Sequence, residues 1–256
     1  MKIRAGSRDI SVRLKAYRHI QRLIASGKLA AASGISELTL AKELGSSRSP
    51  IREAMNQLAA EGFLEKRSGG GMVVARLHRD DIIELYELRE ALEVYSVGKI
   101  AALPLRPADK DRLQHLIDEI PKLKAELESS GQKELNNAQM ERFLACDFGF
   151  HALLMSMTQN QRIQKVLSET RLLIRIFSLR REGHNAQLLE SIYQYHQRML
   201  DAVANQDEEQ AMRSMAEHIQ ASQREQVNAF DHSRREASLL QSIPTFLDPQ
   251  KLALRL

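Results

Sequence analysis

A single cysteine, Cys146, occurs among 256 residues, which excludes an internal disulfide and any cysteine-rich zinc site. Cys146 sits in an apolar-rich helical stretch and reads as a small buried hydrophobe rather than a reactive thiol. No apolar run approaches the roughly 20 residues that span a bilayer. The first 25 residues also lack the apolar core of a signal peptide. A cytoplasmic location and no membrane partner are therefore expected. Internal repeats and low-complexity tracts are absent too. What is present is 43% hydrophobic and 27% charged, with a mean hydropathy of -0.37. That is the balance of a soluble globular chain, long enough for one large domain or two ordinary ones.

The charge is unevenly spread. Residues 1–79 hold fifteen Lys and Arg against six Asp and Glu, a net of +9, so the remainder carries -5 of the total of +4. A basic module joined to a mildly acidic one suits a head that binds a polyanion on a body that does not.

Glycine and proline punctuate the first 75 residues differently from the rest. Ile10, Leu14, Tyr17, Ile20 and Ile24 recur at three or four and predict an amphipathic helix over 10–26, ended by Gly27. After an irregular segment from Lys28 to Ile35, Ser36 caps a short helix that Gly45 closes. Ser46 and Ser47 are N-cap candidates for the next helix, which carries Pro50 in its first turn and stops at Gly62. Phe63–Arg67 and Met72–Ala75 read as strands around Ser68-Gly69-Gly70-Gly71, a hairpin. From Asp80 onward the pattern is helical, over about 80–103, 107–129, 133–158, 160–181, 186–205 and 207–240. Six helices with short links predict an antiparallel bundle. The expected fold is mainly α, with a winged helix-turn-helix over 1–76, an all-helical domain over 77–240 and a C-terminal tail over 241–256.

Arg48 and Arg52 are four apart near the start of the third helix and so share one face. From there they would enter a major groove, where arginine pairs with guanine O6 and N7. Ser47 and Ser49 suit a backbone phosphate at the helix start. Ile51, Ala54, Met55 and Leu58 would face the core. Alone, an Arg-x-x-x-Arg pair reads as a solvated helix face; the surrounding helix-turn-helix order and wing favour DNA.

The run Leu40-Ala41-x-x-Leu44-Gly45-x-Ser47-Arg48-x-Pro50-Ile51-Arg52-Glu53-Ala54, continuing to Leu58 and Glu61-Gly62-Phe63, resembles the signature of GntR-family repressors. Gly69-x-Gly71-x-x-Val74 resembles their wing. The resemblance covers residues 10–76 and implies that Arg48 and Arg52 read bases while Gly70 approaches the minor groove. Two departures stand out. Leu29-Ala30-Ala31-Ala32-Ser33-Gly34 replaces a Leu-Pro-Pro-Gly common in the family, and Leu38 stands where many members carry a third base-contacting arginine.

Residues 80–235 resemble the FCD effector domain of the FadR-type subfamily, with Arg89-x-x-Leu92-Glu93 in its first helix. Asp147 and His151 share a helix face, and His196 and His218 lie on two later helices. Three imidazoles and a carboxylate converging from three helices suit a divalent transition metal such as Zn²⁺, Ni²⁺ or Mn²⁺. The resemblance implies that these four residues ligate the metal and leave positions for a carboxylate ligand. His19, His78, His115, His184 and His232 read as ordinary core or surface side chains. Arg89 either binds an effector carboxylate or pairs with Glu93 at i+4; Arg175, on the helix between those of His151 and His196, is a weaker candidate for the pocket.

The expected activity is that of a homodimeric transcription regulator, a repressor by default. It would bind a pseudo-palindromic operator in double-stranded DNA and answer to a small organic acid. Two alternatives are a metal-dependent hydrolase built on the Asp/His cluster and a protein that coats nucleic acid without sequence preference.

Overall fold

The computed structural model describes residues 3–26, 28–177 and 183–242. Gly27, expected to end the first helix, and nearly all of the 241–256 tail lie outside the described residues. The chain forms two compact units.

The first unit contains α1 (Ile3–Ala25), β1 (Gly34–Ile35), α2 (Glu37–Glu43), α3 (Arg48–Ala60), β2 (Leu64–Lys66), β3 (Met72–Val74) and, from far along the chain, α8 (Gln161–Phe177). Ala16, Ile20 and Ile24 of α1 recur every four residues and are buried, and α1 packs on α3. The face of α3 predicted to be apolar is the one buried: Ile51, Ala54, Met55 and Leu58 are at most 1% exposed. Burying a side chain such as Leu58 contributes about 1.5–3 kcal/mol. Between α2 and α3 the chain turns at Gly45, whose φ of 57° favours a residue without Cβ.

The wing is a three-stranded antiparallel sheet in the order β1-β3-β2, not a hairpin alone. The additional strand comes from the segment expected to be irregular: Gly34 pairs with Val73 and Ile35 with Met72. Two residues are too few for alternation to reveal a strand, yet they satisfy one edge of β3. Ala32 donates its N–H to the Val74 carbonyl at 2.8 Å, extending the same edge.

Helix α8 was expected among the bundle helices but groups with the head. Leu173 lies over Gly62, its Cδ1 3.7 Å from where a Cβ would stand. Glu169 is close enough to Tyr17 to help push that phenol above its ordinary range. Burial is the main cause of the shift, followed by the hydrogen bond to Glu61 at 2.5 Å.

The second unit contains α4 (Arg79–Ala101), α5 (Pro107–Ile117), α6 (Glu119–Ser130), α7 (Asn137–Ser156), α9 (Ala186–Ala204) and α10 (Glu208–Ser242). The predicted helix over 107–129 is two helices, broken at Asp118. Pro121 supplies the reason: it has no N–H for the Ile117 carbonyl, and its ring crowds that position. Side-chain caps open several elements. Asp81 accepts from the His78 amide at 2.6 Å, Asn136 from that of Gln139 at 3.0 Å and Asn185 from that of Leu188 at 2.9 Å. Gly131 ends α6 in the left-handed region. Ile120, Leu123, Leu127, Leu135, Phe143, Leu189 and Ile192 form one core cluster. Helices α4 and α10 meet closely at Gly98, where a Cβ would stand 2.8 Å from the Met212 sulfur.

Candidate nucleic-acid interface and candidate metal centre

In the head, Ser47 is the N-cap of α3 and Arg48 its first residue. Ser47, Arg48, Ser49 and Arg52 are all exposed at the front of the helix. Gly70, with φ of 91°, sits exposed at the wing tip with open space around it. Leu38, at the position of the missing third arginine, is 54% exposed on α2. An apolar side chain offered to solvent there adds no donor for a base edge.

Sequence reasoning missed what holds the arginines. Glu37, the first residue of α2, accepts from Arg52 Nε at 3.0 and 3.2 Å and from Nη2 at 2.9 Å. It also lies 3.5 Å from Arg48 Nη2. The hydrogen bond from Arg52 keeps the Glu37 carboxyl below its ordinary range, so it is ionised at neutral pH. Nothing in local periodicity marks a carboxylate fifteen residues upstream as the partner of Arg52.

In the bundle, α7 supplies Asp147 and His151, α9 supplies His196 and α10 supplies His218. Each offers one ligand atom, and the four atoms lie within 4.8 Å of one another. His151 Nε2 is 3.2 Å from His218 Nε2 and 3.9 Å from Asp147 Oδ1, and His196 Nε2 is 3.5 Å from Asp147 Oδ1. Donors sharing an ion at about 2.1 Å stand about 3.0–3.4 Å apart when adjacent and about 4.2 Å when opposite. The donor set therefore fits a divalent transition metal with sub-ångström adjustment. The three imidazoles are at most 3% exposed, whereas the Asp147 side chain is 23% exposed.

Electrostatics suit the same role. Burial, with His196 and His151 beside it, holds His218 well below the ordinary imidazole range. Its lone pair is thereby kept unprotonated. Glu93 of α4 accepts from His151 Nδ1 at 2.7 Å, which places that proton away from the cluster and leaves Nε2 as a donor to metal. Phe150 stacks on His196 with centroids 4.4 Å apart, fixing its ring plane.

Arg89 forms the i+4 pair: its Nε donates to Glu93 Oε1 at 2.8 Å, and both residues are buried. Its guanidinium lies over the Tyr86 ring at 5.0 Å, and against the cost of burial its charge is held chiefly by Glu93, with Tyr86 and Asp147 adding to it. Arg89 thus stands beside the cluster, tied to it through Glu93. Arg175 belongs to α8, in the other unit, and its side chain falls outside the described residues. Among the histidines given ordinary roles, His184 packs edge-on to Phe143 at 4.6 Å and His19 faces Glu43 at 3.3 Å.

Known proteins match both parts. Residues 13–74 match the gntR family of bacterial regulatory proteins, and residues 84–221, more than half of the chain, match the FCD domain. The chain belongs to the GntR family, with an FCD domain. It is 28% identical over 209 residues to the uncharacterized HTH-type transcriptional regulator YdhC of Bacillus subtilis, covering 80% of this chain and 87% of that one. It is 26% identical over 201 residues to the HTH-type transcriptional regulator LutR of the same species, covering 70% and 84%. Among solved structures, E. coli McbR/YncC superposes with a TM-score of 0.67 at 18% identity, over 86% of this chain and 98% of that one, which speaks for the fold. This GntR protein is a DNA-binding transcription regulator and not an enzyme, so the hydrolase alternative falls. No helix among the described residues is long and apolar enough to cross a membrane.

Proposed function

We propose that this GntR regulator is a cytoplasmic homodimeric repressor that releases its operator when a small organic acid binds beside a divalent transition metal. The observation that carries the reading is the Asp147, His151, His196 and His218 cluster, its donors within 4.8 Å and His151 oriented by buried Glu93. When bound there, a Zn²⁺, Ni²⁺ or Mn²⁺ ion supplies Lewis acidity and coordination positions that a carboxylate can fill. The chain's own residues do the rest. Glu93 fixes the His151 tautomer, Phe150 fixes the His196 ring, and Arg89 adds a buried positive charge that favours an anionic ligand. In the head, Arg48 and Arg52 read base edges, Ser47 and Ser49 meet phosphate, and Gly70 lets the wing tip approach the minor groove. Two heads on one dimer match two half-sites of a pseudo-palindrome. The acid lowers operator affinity only by binding the released arrangement more tightly than the bound one.

The full chain tests this. Metal content of the purified protein is measured, and carboxylic acids are screened by thermal shift with and without chelator. An acid at a hundredfold its Kd should stabilise by about 2.7 kcal/mol, and chelator should abolish the shift. The same acid should weaken binding to an operator selected from random duplexes. A chain that retains no Zn²⁺, Ni²⁺ or Mn²⁺, or acid shifts indifferent to chelator, would overturn the metal reading.

A further inference from the structure

We infer that Glu37 is a positioning residue that sets operator selectivity by holding the guanidinium groups of Arg52 and Arg48. The inference rests on the reading that these two arginines face the bases.

Glu37 takes the Nε edge of Arg52, accepting from Nε at 3.0 and 3.2 Å and from Nη2 at 2.9 Å. That leaves Nη1 and the outer hydrogen of Nη2 as a free fork. A fork of this kind is what guanine O6 and N7 accept. The arginine side chains are 55% and 61% exposed while that of Glu37 is 23% exposed, so the carboxylate sits behind the donors it steers. Its root is fixed as well: Glu37 opens α2, whose cap Ser36 accepts from the Thr39 amide at 3.3 Å.

The carboxylate also acts through its charge. Attraction between arginine and phosphate is the same for every DNA sequence and supplies most of non-specific binding. One anion shared between two guanidiniums offsets part of that attraction. Paired hydrogen bonds to a base depend on geometry, which Glu37 improves. Selectivity is the ratio of the two affinities, so both effects raise it. Glu37 at the first turn of α2 would also stabilise that helix through its dipole. That role alone would lower the melting temperature of a variant and leave its selectivity untouched.

The experiment uses the full chain, a duplex selected from a random pool by the wild type, and a scrambled duplex of equal length. Both are titrated over a range of salt. Glu37→Gln should tighten binding to the scrambled duplex severalfold and steepen its salt dependence by about one ion per head. The ratio of operator to scrambled affinity should fall about tenfold. With Arg52→Ala already present, adding Glu37→Gln should change preference at the base pair read by Arg52 less than twofold. Glu37→Asp keeps the charge and the dipole but is one methylene too short for the clamp; it should lower the ratio with the salt slope unchanged. A wild-type ratio in either Glu37 variant, while Arg52→Ala lowers it, overturns the role of Glu37 alone. A wild-type ratio in Arg52→Ala, or a selection that enriches no sequence, overturns the base-reading assignment beneath it.

Discussion

Glu93 offers the sharpest test of how the bundle is held and how its candidate metal centre is shaped. The residue is fully buried and meets two partners at once: Arg89 Nε at 2.8 Å through one oxygen, His151 Nδ1 at 2.7 Å through the other. Glu93→Gln keeps the shape and removes the charge. The amide oxygen can accept from one partner only, and the amide nitrogen turns a donor toward the other. Suppose Arg89 keeps the oxygen. His151 must then accept at Nδ1, which moves its proton to Nε2, pointing into the cluster where a ligand lone pair is required. In the opposite arrangement, Arg89, 5% exposed, faces a donor and keeps a buried charge without its anion. Breaking a buried ion pair from one side costs about 3–5 kcal/mol. The Tyr86 ring at 5.0 Å and the nearby Asp147 charge place the loss near the lower end. About 3 kcal/mol corresponds to a fall of about 6–12 °C in the thermal midpoint for a unit of this size. Metal affinity should fall about 10–100-fold.

Calorimetry of the chelated protein reads the first effect, and competition against a chromophoric chelator reads the second. A double variant separates them. Adding Arg89→Met removes the stranded cation and should recover much of the midpoint, while metal affinity stays low because His151 remains misoriented. If Glu93→Gln holds Zn²⁺ within twofold of wild type and melts within 2 °C of it, the account of Glu93 as the shared anchor is wrong.

The other predictions concern single residues. Arg52→Ala should weaken operator binding by about 1–3 kcal/mol and relax preference at one base pair; anisotropy titrations with single-base variants of the operator would show an unaltered preference if Arg52 touches no base. At Gly183 a Cβ would run into the Leu135 backbone carbonyl, so Gly183→Ala should cost about 1–3 kcal/mol, seen as a lower midpoint in thermal melts; a midpoint within 1 °C of wild type would contradict this packing. Burial, with Glu61 nearby, raises the Glu169 carboxyl above its ordinary range. A raised carboxyl binds its proton more tightly folded than unfolded, so its charged form destabilises at neutral pH and the penalty fades as pH falls through the folded value. With 31% of its side chain exposed, Glu169→Gln should therefore stabilise by about 0.5 kcal/mol or less at pH 7, and the gain should vanish toward acid; a gain that grows in acid would reverse the sign argued here.

What could be read in advance follows the reach of each signal. The head was legible because its turns are written locally: Gly45 and Gly70 need positive φ, and the apolar face of α3 recurs at helical spacing. Strand β1 was not, since two residues pairing with a strand nearly forty positions away leave no periodic trace. Pro121 was visible as a letter, but the apolar period runs through it, and only the missing N–H at Ile117 shows that the helix must break. For α8 the amphipathic stripe announces a buried face without saying against what; the position of Leu173 over Gly62 is a tertiary fact. Glu93 shows how local reasoning stops too early. An i+4 arginine explains one carboxylate oxygen, and at the surface that would suffice. A carboxylate with no exposure must satisfy the second oxygen as well, and its partner, His151, lies 58 residues away. The charged residues most worth following into a structure are thus those on an otherwise buried helix whose nearest sequence neighbour accounts for only half of their hydrogen-bonding capacity.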